Sequence, residues 1–543
     1  MSASGFPICS KTQKRLTGTI AVLAMATLAW GQSYQGGVRG AVTDPQGAMV
    51  ADAKITLTNT GTGVARSTLT TATGTYVFSD VDPATYSVAA ESPSFKRFEE
   101  KGVTVDTQEF VTVDVQLQVG NVTQSVTVNE ETPLIENSNA SQGQVLDRQQ
   151  LVDLPNLGRN PFLLAKVAQN VMPVGDPAYN RMEDQSGSSQ ISIAGGPVRG
   201  NNYLLDGVPI TDADNRAIII PTIEAVQEVK VQANTYDASM ARTGGGMFNT
   251  LLKSGTNEYH GVAFGSTRQT NWSANNFFNN AAGLPLPPQW NYTYALALGG
   301  RVFIPKVYDG KNKTFFWVAR EGYDDTQSNS SQLYTPTALE RQGNFSQSHT
   351  QSGSLLTIYD PTSTIKNANG TFTRSAFPNN IIPANKLNPV GLAMAATLAN
   401  PSSNPAYYGA NDLTVASSLP ARAHQTTAKL DEQFTDWWHA NLSYLSYLSL
   451  EPGNTYFNSV SSPDQWRLLR NVNATQLNNT FTLSPTLVIS ARYGFNRFPN
   501  YGYQVSSGLN LATLGFSPTY TNKFCLPRFR LSARQRFITV WVV

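Results

Sequence analysis

Two-residue alternation, sustained over strand-length runs in the C-terminal half, constrains this chain more than any other feature. Across residues 438–450 the even positions Trp438, Ala440, Leu442, Tyr444, Leu448 and Leu450 are mostly apolar. The odd face carries Trp437, His439, Asn441, Ser443 and Ser449. Further on, Leu487, Ile489, Ala491, Tyr493 and Phe495 alternate with Ser490, Arg492 and Gly494. Residues 291–304 and 314–323 behave alike and are joined through Tyr308-Asp309-Gly310-Lys311-Asn312, while Ser484-Pro485-Thr486 makes a short turn after residues 477–483. A period of two puts successive side chains on opposite sides of a strand, so each run has an apolar and a polar face. Strands of about ten residues, with short turns alternating with long polar loops, form the pattern of a transmembrane β-barrel. Loops such as 326–377, rich in Ser, Asn, Gln and Thr, would then face the cell exterior. A soluble β-sandwich has the same period, so the start of the chain bears on the choice.

Lys11, Lys14 and Arg15 precede the apolar run 16–29 and the small residues Ala29 and Gly31. That is the layout of a secretory signal cleaved after Gly31. The run is shorter than the roughly 20 residues a spanning helix requires, and no later segment reaches that length. An exported chain of this kind is secreted, periplasmic or an outer-membrane barrel. Composition agrees: only 14% of residues are charged, against roughly 25% in ordinary soluble chains. With 10% aromatic residues and a net charge of +2 the chain is not of the disordered class. No basic patch precedes the extreme C-terminus, which excludes nucleic acid as a partner. Cys9 lies ahead of the apolar run and leaves with the signal, so only Cys525 remains and no disulfide framework exists.

The region 37–117 alternates short β-prone stretches with turns at Asp44-Pro45-Gln46-Gly47, Asn59-Thr60-Gly61, Gly74 and Asp82-Pro83. Gly40, Val42, Asp44, Gly47, Val50, Ala53, Thr73, Gly74, Tyr76, Val77, Phe78, Pro83, Tyr86, Val88 and Phe95 resemble the carboxypeptidase regulatory-like domain, a transthyretin-like sandwich. Two later blocks resemble the plug of TonB-dependent outer-membrane transporters of the Oar-like group. One is VRGNNYLLDGVP at 198–209, containing Arg199, Gly200, Leu205, Asp206, Gly207 and Val208. The other, from Ile223, runs through Gly244-Gly245-Gly246 toward the first barrel strand. Leu154-Pro155, Gly158-Arg159-Asn160 and residues 191–196 fit the same group. The triple glycine lacks the Lys-Ser/Thr of a phosphate loop and is expected to be a close-packed turn.

The chain is therefore expected to be mainly β, with five parts. These are a signal peptide over 1–31, a transthyretin-like sandwich over 32–118, an α+β plug over 119–255, an incomplete transmembrane antiparallel barrel over 256–523 and an anomalous tail over 524–543. The resemblance implies an outer-membrane receptor or transporter that takes up an extracellular small or oligomeric substrate, such as an oligosaccharide or peptide. Its partners would be outer-membrane lipid and the energy-transducing TonB protein. The segment offered to TonB would be Ser125, Val126, Thr127, Val128, Asn129 and Glu130, whose extended β-branched character suits strand addition. These residues equally suit a last strand of the sandwich. Arg199 and Asp206 are expected to carry charge inside the lumen and tie plug to barrel wall.

No enzyme and no cofactor is expected. His260, His349, His424 and His439 begin no zinc pattern, and Asp206, Asp212 and Asp214 lack calcium-loop spacing. A surface adhesin or carbohydrate-binding protein using the N-terminal domain is the alternative from another class. A sensory or protein-export receptor of the same architecture is a second. Members of the group close about 22 strands, and the residues after Glu258 suffice for roughly half of these. The last stretch, CLPRFRLSARQRFITVWVV, holds Arg528, Arg530, Arg534 and Arg536 without an acid. It reads as a frameshifted or truncated end, or as one half of a split gene, with a divergent final strand as the alternative.

Overall fold

The computed structural model describes residues 34–120, 125–129, 142–155, 159–174, 190–212, 215–234, 244–275, 277–281, 283, 285–286, 288–457, 459–462, 466–484, 487–504, 509–523 and 531–542. The signal segment, Glu130, Gly158, Asp214 and Cys525 lie outside them.

The N-terminal unit is a two-sheet sandwich. Gly36–Thr43 pairs antiparallel with Thr75–Val81 and parallel with Phe110–Thr112 and Val115–Gln116. The second sheet runs Ala65–Leu69, Lys54–Asn59, Ala84–Glu91, Arg97–Val105 and Ser125–Asn129. Alternate residues Val38, Val42, Ile55, Leu57, Phe78, Val88 and Val103 meet between the sheets. The Asp44 turn closes because its carboxylate accepts from the Gln46 and Ala48 amides, each at 2.9 Å.

A middle domain over 142–252 combines short helices with a mixed five-stranded sheet, ordered Gln142–Leu146, Val226–Asn234, Met247–Leu252, Asn202–Leu205 and Val208–Pro209. Asp147 and Asn160 cap the helices Arg148–Asp153 and Pro161–Leu164, accepting from the Gln150 and Phe162 amides. Phe162, Tyr203 and Phe248 stack with ring centres 5.2–5.4 Å apart.

The third unit is an antiparallel sheet whose eight described strands pair in chain order. They are β1 (His260–Arg268), β2 (Trp290–Arg301), β3 (Thr314–Leu333), β4 (Leu413–Thr435), β5 (Trp438–Pro452), β6 (Trp466–Ser484), β7 (Leu487–Gln504) and β8 (Leu531–Val542). Short turns join β4 to β5 and β6 to β7 at one end, and the long connection 334–412 lies at the other. Among the described residues β1 and β8 are not paired with each other, so the barrel is not closed.

This sheet reverses the usual distribution of polarity. Its exposed face carries Leu430, Leu442, Leu477 and Tyr493, which stand side by side across four strands and are 41%, 45%, 39% and 40% exposed. Its other face is buried and rich in polar groups, among them Glu321, Gln425, Lys429, Asn441 and Arg492. Phe434, Trp437, Trp438 and Phe481 cluster at the short-turn end, with Phe434 and Trp438 stacked at 4.1 Å. Trp290 and Tyr292 stand near the other end, their rings 5.5 Å apart. An apolar band bounded by aromatic girdles is the lipid face of an outer-membrane barrel. No described helix is long and apolar enough to cross a membrane.

One expectation needs correction, and two readings left open by the sequence meet a backbone observation. The polar loop begins after Leu333 rather than at Thr326, because β3 continues pairing with β4 as far as Leu333↔Leu413. Residues 531–542 of the supposed tail take part in the sheet, pairing with β7 from Ala491↔Val542 to Gly502↔Leu531. Ser125–Asn129, which suits either a segment offered to TonB or a last strand of the sandwich, pairs parallel with the sandwich strand from Arg97↔Ser125 to Lys101↔Asn129.

Candidate functional site

The polar face of the sheet packs on the middle domain. One hydrophobic cluster runs from Leu146, Phe162, Tyr203 and Phe248 into Trp317, Leu445, Tyr447 and Val472 on the sheet. Among the described residues, ion pairs bridge this contact at two points.

The first is built on the turn at Asp206. Leu205 and Val208 are fully buried and fix the strands that flank it. Asp206 and Gly207 have φ of +43° and +75°, so the Asp-Gly step makes the tight reversal that a two-residue hairpin requires. The reversal points the Asp206 carboxylate at the sheet. It lies 3.2 Å from the Lys429 ammonium on β4, and both residues are buried. The Leu252 amide donates to Asp206 Oδ1 at 2.8 Å, and Lys429 donates to the Leu252 carbonyl at 3.2 Å. Burial pushes the Asp206 carboxyl above the usual carboxylate range, and Lys429 pulls it back. Asn478 and Asn496 add donations to the Asp206 and Pro209 carbonyls at 3.5 and 2.8 Å.

The second point is Glu224. Its carboxylate meets Arg148 at 2.6 Å and also pairs with Arg159. Arg159 reaches Glu321 on β3 at 3.8 Å and stacks over the Phe264 ring of β1 at 3.7 Å. Thr222 donates to Glu321 through its hydroxyl and to Gln425 through its amide. Trp317 Nε1 donates to the Glu224 carbonyl at 3.0 Å.

Arg199, expected to carry charge inside the lumen, stands on an exposed turn. Gly200 packs against the triple glycine, its carbonyl accepting from the Gly244 and Gly245 amides, each at 3.0 Å. A Cβ on Gly246 would stand 2.4 Å from Ile193, so this corner is close-packed. Asp212 is taken up by Arg216 at 3.0 Å. Among the described residues no group of three His, Cys, Asp or Glu could hold a metal. Sequence reasoning missed Lys429, Glu224, Arg148, Glu321 and Gln425. The alternation would have found Glu321, Gln425 and Lys429, since a charged or amide residue at an inward position needs a partner inside.

These contacts join the middle domain to the polar face of the sheet, and the sequence comparisons identify the sheet. The outer membrane beta barrel domain matches residues 251–539. The chain belongs to that family. Its N-terminal part, residues 37–118, matches the carboxypeptidase regulatory-like domain. The TonB-dependent transporter Oar of Myxococcus xanthus is 26% identical over 263 residues, covering 48% of this chain. The chain spans 24% of that relative's length. Among solved structures, the outer membrane transporter YddB of Escherichia coli aligns with a TM-score of 0.40 at 11% identity, over 67% of this chain and 40% of its own. The siderophore receptor PirA of Acinetobacter baumannii gives a TM-score of 0.36 at 12% identity, over 66% and 40%. This outer-membrane barrel thus carries its regulatory-like domain at the end where the strands turn tightly.

One contact between that domain and the middle domain is pH-sensitive. Glu228 accepts from the Thr107 amide at 2.7 Å and is buried. Burial, with Asp106 nearby, pushes its carboxyl up to about 7. The folded state therefore holds this proton more tightly than the unfolded chain, and stability falls as pH rises from about 4.5 to about 7. Glu228→Gln should flatten that dependence. Hydrogen exchange at the Thr107 amide, followed from pH 5 to pH 8, checks it; an unchanged pH profile in the variant contradicts the assignment.

Proposed function

We propose that the chain belongs to an energised importer: the middle domain plugs the barrel, and TonB drives its rearrangement. The observation that supports this reading is the buried Asp206–Lys429 pair, which holds the middle domain against the polar face of the sheet. A lumen filled in this way blocks passive diffusion, so passage requires work on the filling. Ser125–Asn129 is the part offered to TonB. It is an edge strand, and its outer backbone groups are suited to pairing with a partner sheet. The cargo is an oligosaccharide or a peptide-like nutrient.

Deleting residues 125–130 should abolish uptake of labelled oligosaccharide or peptide by whole cells while surface abundance stays at the parental level. Uptake that persists at the parental rate would overturn the assignment. An adhesin using the N-terminal domain would instead keep its surface binding in a host without TonB.

A further inference from the structure

The sandwich rests on the barrel at one end only, where the strands join through short turns. Its leading residues and the 80–82 turn make the contact. Tyr34 accepts from Asn441 at 3.2 Å, Gln35 donates to Thr480 at 3.3 Å, and Arg492 donates to Gln35 at 3.2 Å. Ser490 donates to Asp80 at 3.4 Å, and His439 stands 3.5 Å from Asp82. Asn257, just before β1, donates to the Gly61 and Thr62 carbonyls at 3.0 and 2.7 Å.

Two features make this seat separable. The hydrophobic core of the sandwich and the cluster shared by middle domain and barrel do not merge, so polar groups hold the two together. Such interfaces between domains permit relative motion. A cavity of about 350 Å³ also remains between them, with Asp80, Asp82, Lys429, Asp431 and His439 in its wall. Lys429 thus faces the sandwich across this cavity and pairs with Asp206 of the middle domain.

We propose that the sandwich is a detachable cap on the inner mouth of the barrel, and that its seating keeps water from the Asp206–Lys429 pair. With the cap seated, the pair acts in a medium of low dielectric, where attraction between charges is strong. Lifting the cap opens the cavity to solvent and weakens the pair toward the level of an exposed one. Removing the cap therefore loosens the contact between middle domain and wall from a distance. Neither a substrate nor TonB is required for this effect.

The test uses the full chain in lipid vesicles and reads hydrogen exchange at the Leu252 amide, which donates to Asp206. Gln35→Ala combined with Asp80→Ala should speed that exchange at least tenfold while Val88, in the sandwich core, keeps its parental rate. Because that variant could unfold the sandwich, a second one carries Asp80→Cys with Ser490→Cys. Its oxidised, cross-linked form should exchange Leu252 at least tenfold more slowly than its reduced form. Equal rates in the oxidised and reduced forms would overturn the proposal whatever the alanine variant does. Since no uptake is measured, that failure is distinct from failure of the transport reading.

Discussion

Replacing Lys429 with methionine is expected to destabilise the packing of the middle domain against the barrel by about 3–5 kcal/mol, the usual cost of stranding one partner of a buried ion pair. Asp206 is fully buried and cannot turn to solvent, because Leu252 holds one oxygen and the Asp-Gly reversal fixes its backbone. Asp431 lies on the same face of β4 two residues away, so the variant also loses the cation nearest a second buried acid. Adding Asp206→Asn should recover part of the loss, since the amide still accepts from Leu252 and only Asp431 is then left without its cation. The two substitutions should then show a coupling of about 2 kcal/mol or more in a double-mutant cycle. Urea unfolding in lipid vesicles, with proteolysis of residues 142–252 as the probe, measures both quantities. A Lys429→Met variant within about 0.5 kcal/mol of the parent would mean that the pair anchors nothing.

The second large effect belongs to the outer face. Leu442 stands between Leu430 and Leu477 on neighbouring strands, midway along the apolar band. Arginine there should cost about 2–4 kcal/mol in a bilayer, where the guanidinium displaces lipid contacts without gaining water. In a water-soluble sandwich the same exposed position would tolerate arginine to within about 0.5 kcal/mol. Refolding of Leu442→Arg into phosphatidylcholine vesicles, with urea titration of the inserted form, separates the two. A change below 0.5 kcal/mol would place this face in water.

How much of this was legible in the sequence depends on how sharply each strand separates its faces. β5 was plain because leucine and tyrosine on even positions oppose asparagine and serine on odd ones. β4 was not recognised, since its outward residues Thr414, Ala416, Ser418, Pro420, Arg422 and His424 are scarcely apolar. The upper part of β3 was read as loop for a similar reason. Beyond the lipid band both faces of a strand meet water, and alternation has nothing to enforce it. Asp206 was picked out as a luminal charge from its Asp-Gly setting, but its partner lies more than two hundred positions later, where no local spacing points to it. Arg199 stands on an exposed turn, while its neighbours Gly200 and Asn201 fix the corner against Gly244, Gly245 and Gly246. The strand Ser125–Asn129 suited two roles in sequence, and its backbone pairing shows a place at the sandwich edge that is compatible with both.

The alternating face of this sheet meets lipid, while the opposite face meets the middle domain. Nitroxide labels introduced singly by cysteine at Asn441, Leu442, Ser443 and Tyr444, with the chain in a bilayer, test it most directly. Collisional relaxation by dissolved oxygen, which concentrates in the acyl region, should be high at 442 and 444 and low at 441 and 443. Relaxation that is uniform along the four positions, or dominated at 442 and 444 by a water-soluble nickel chelate, would contradict it.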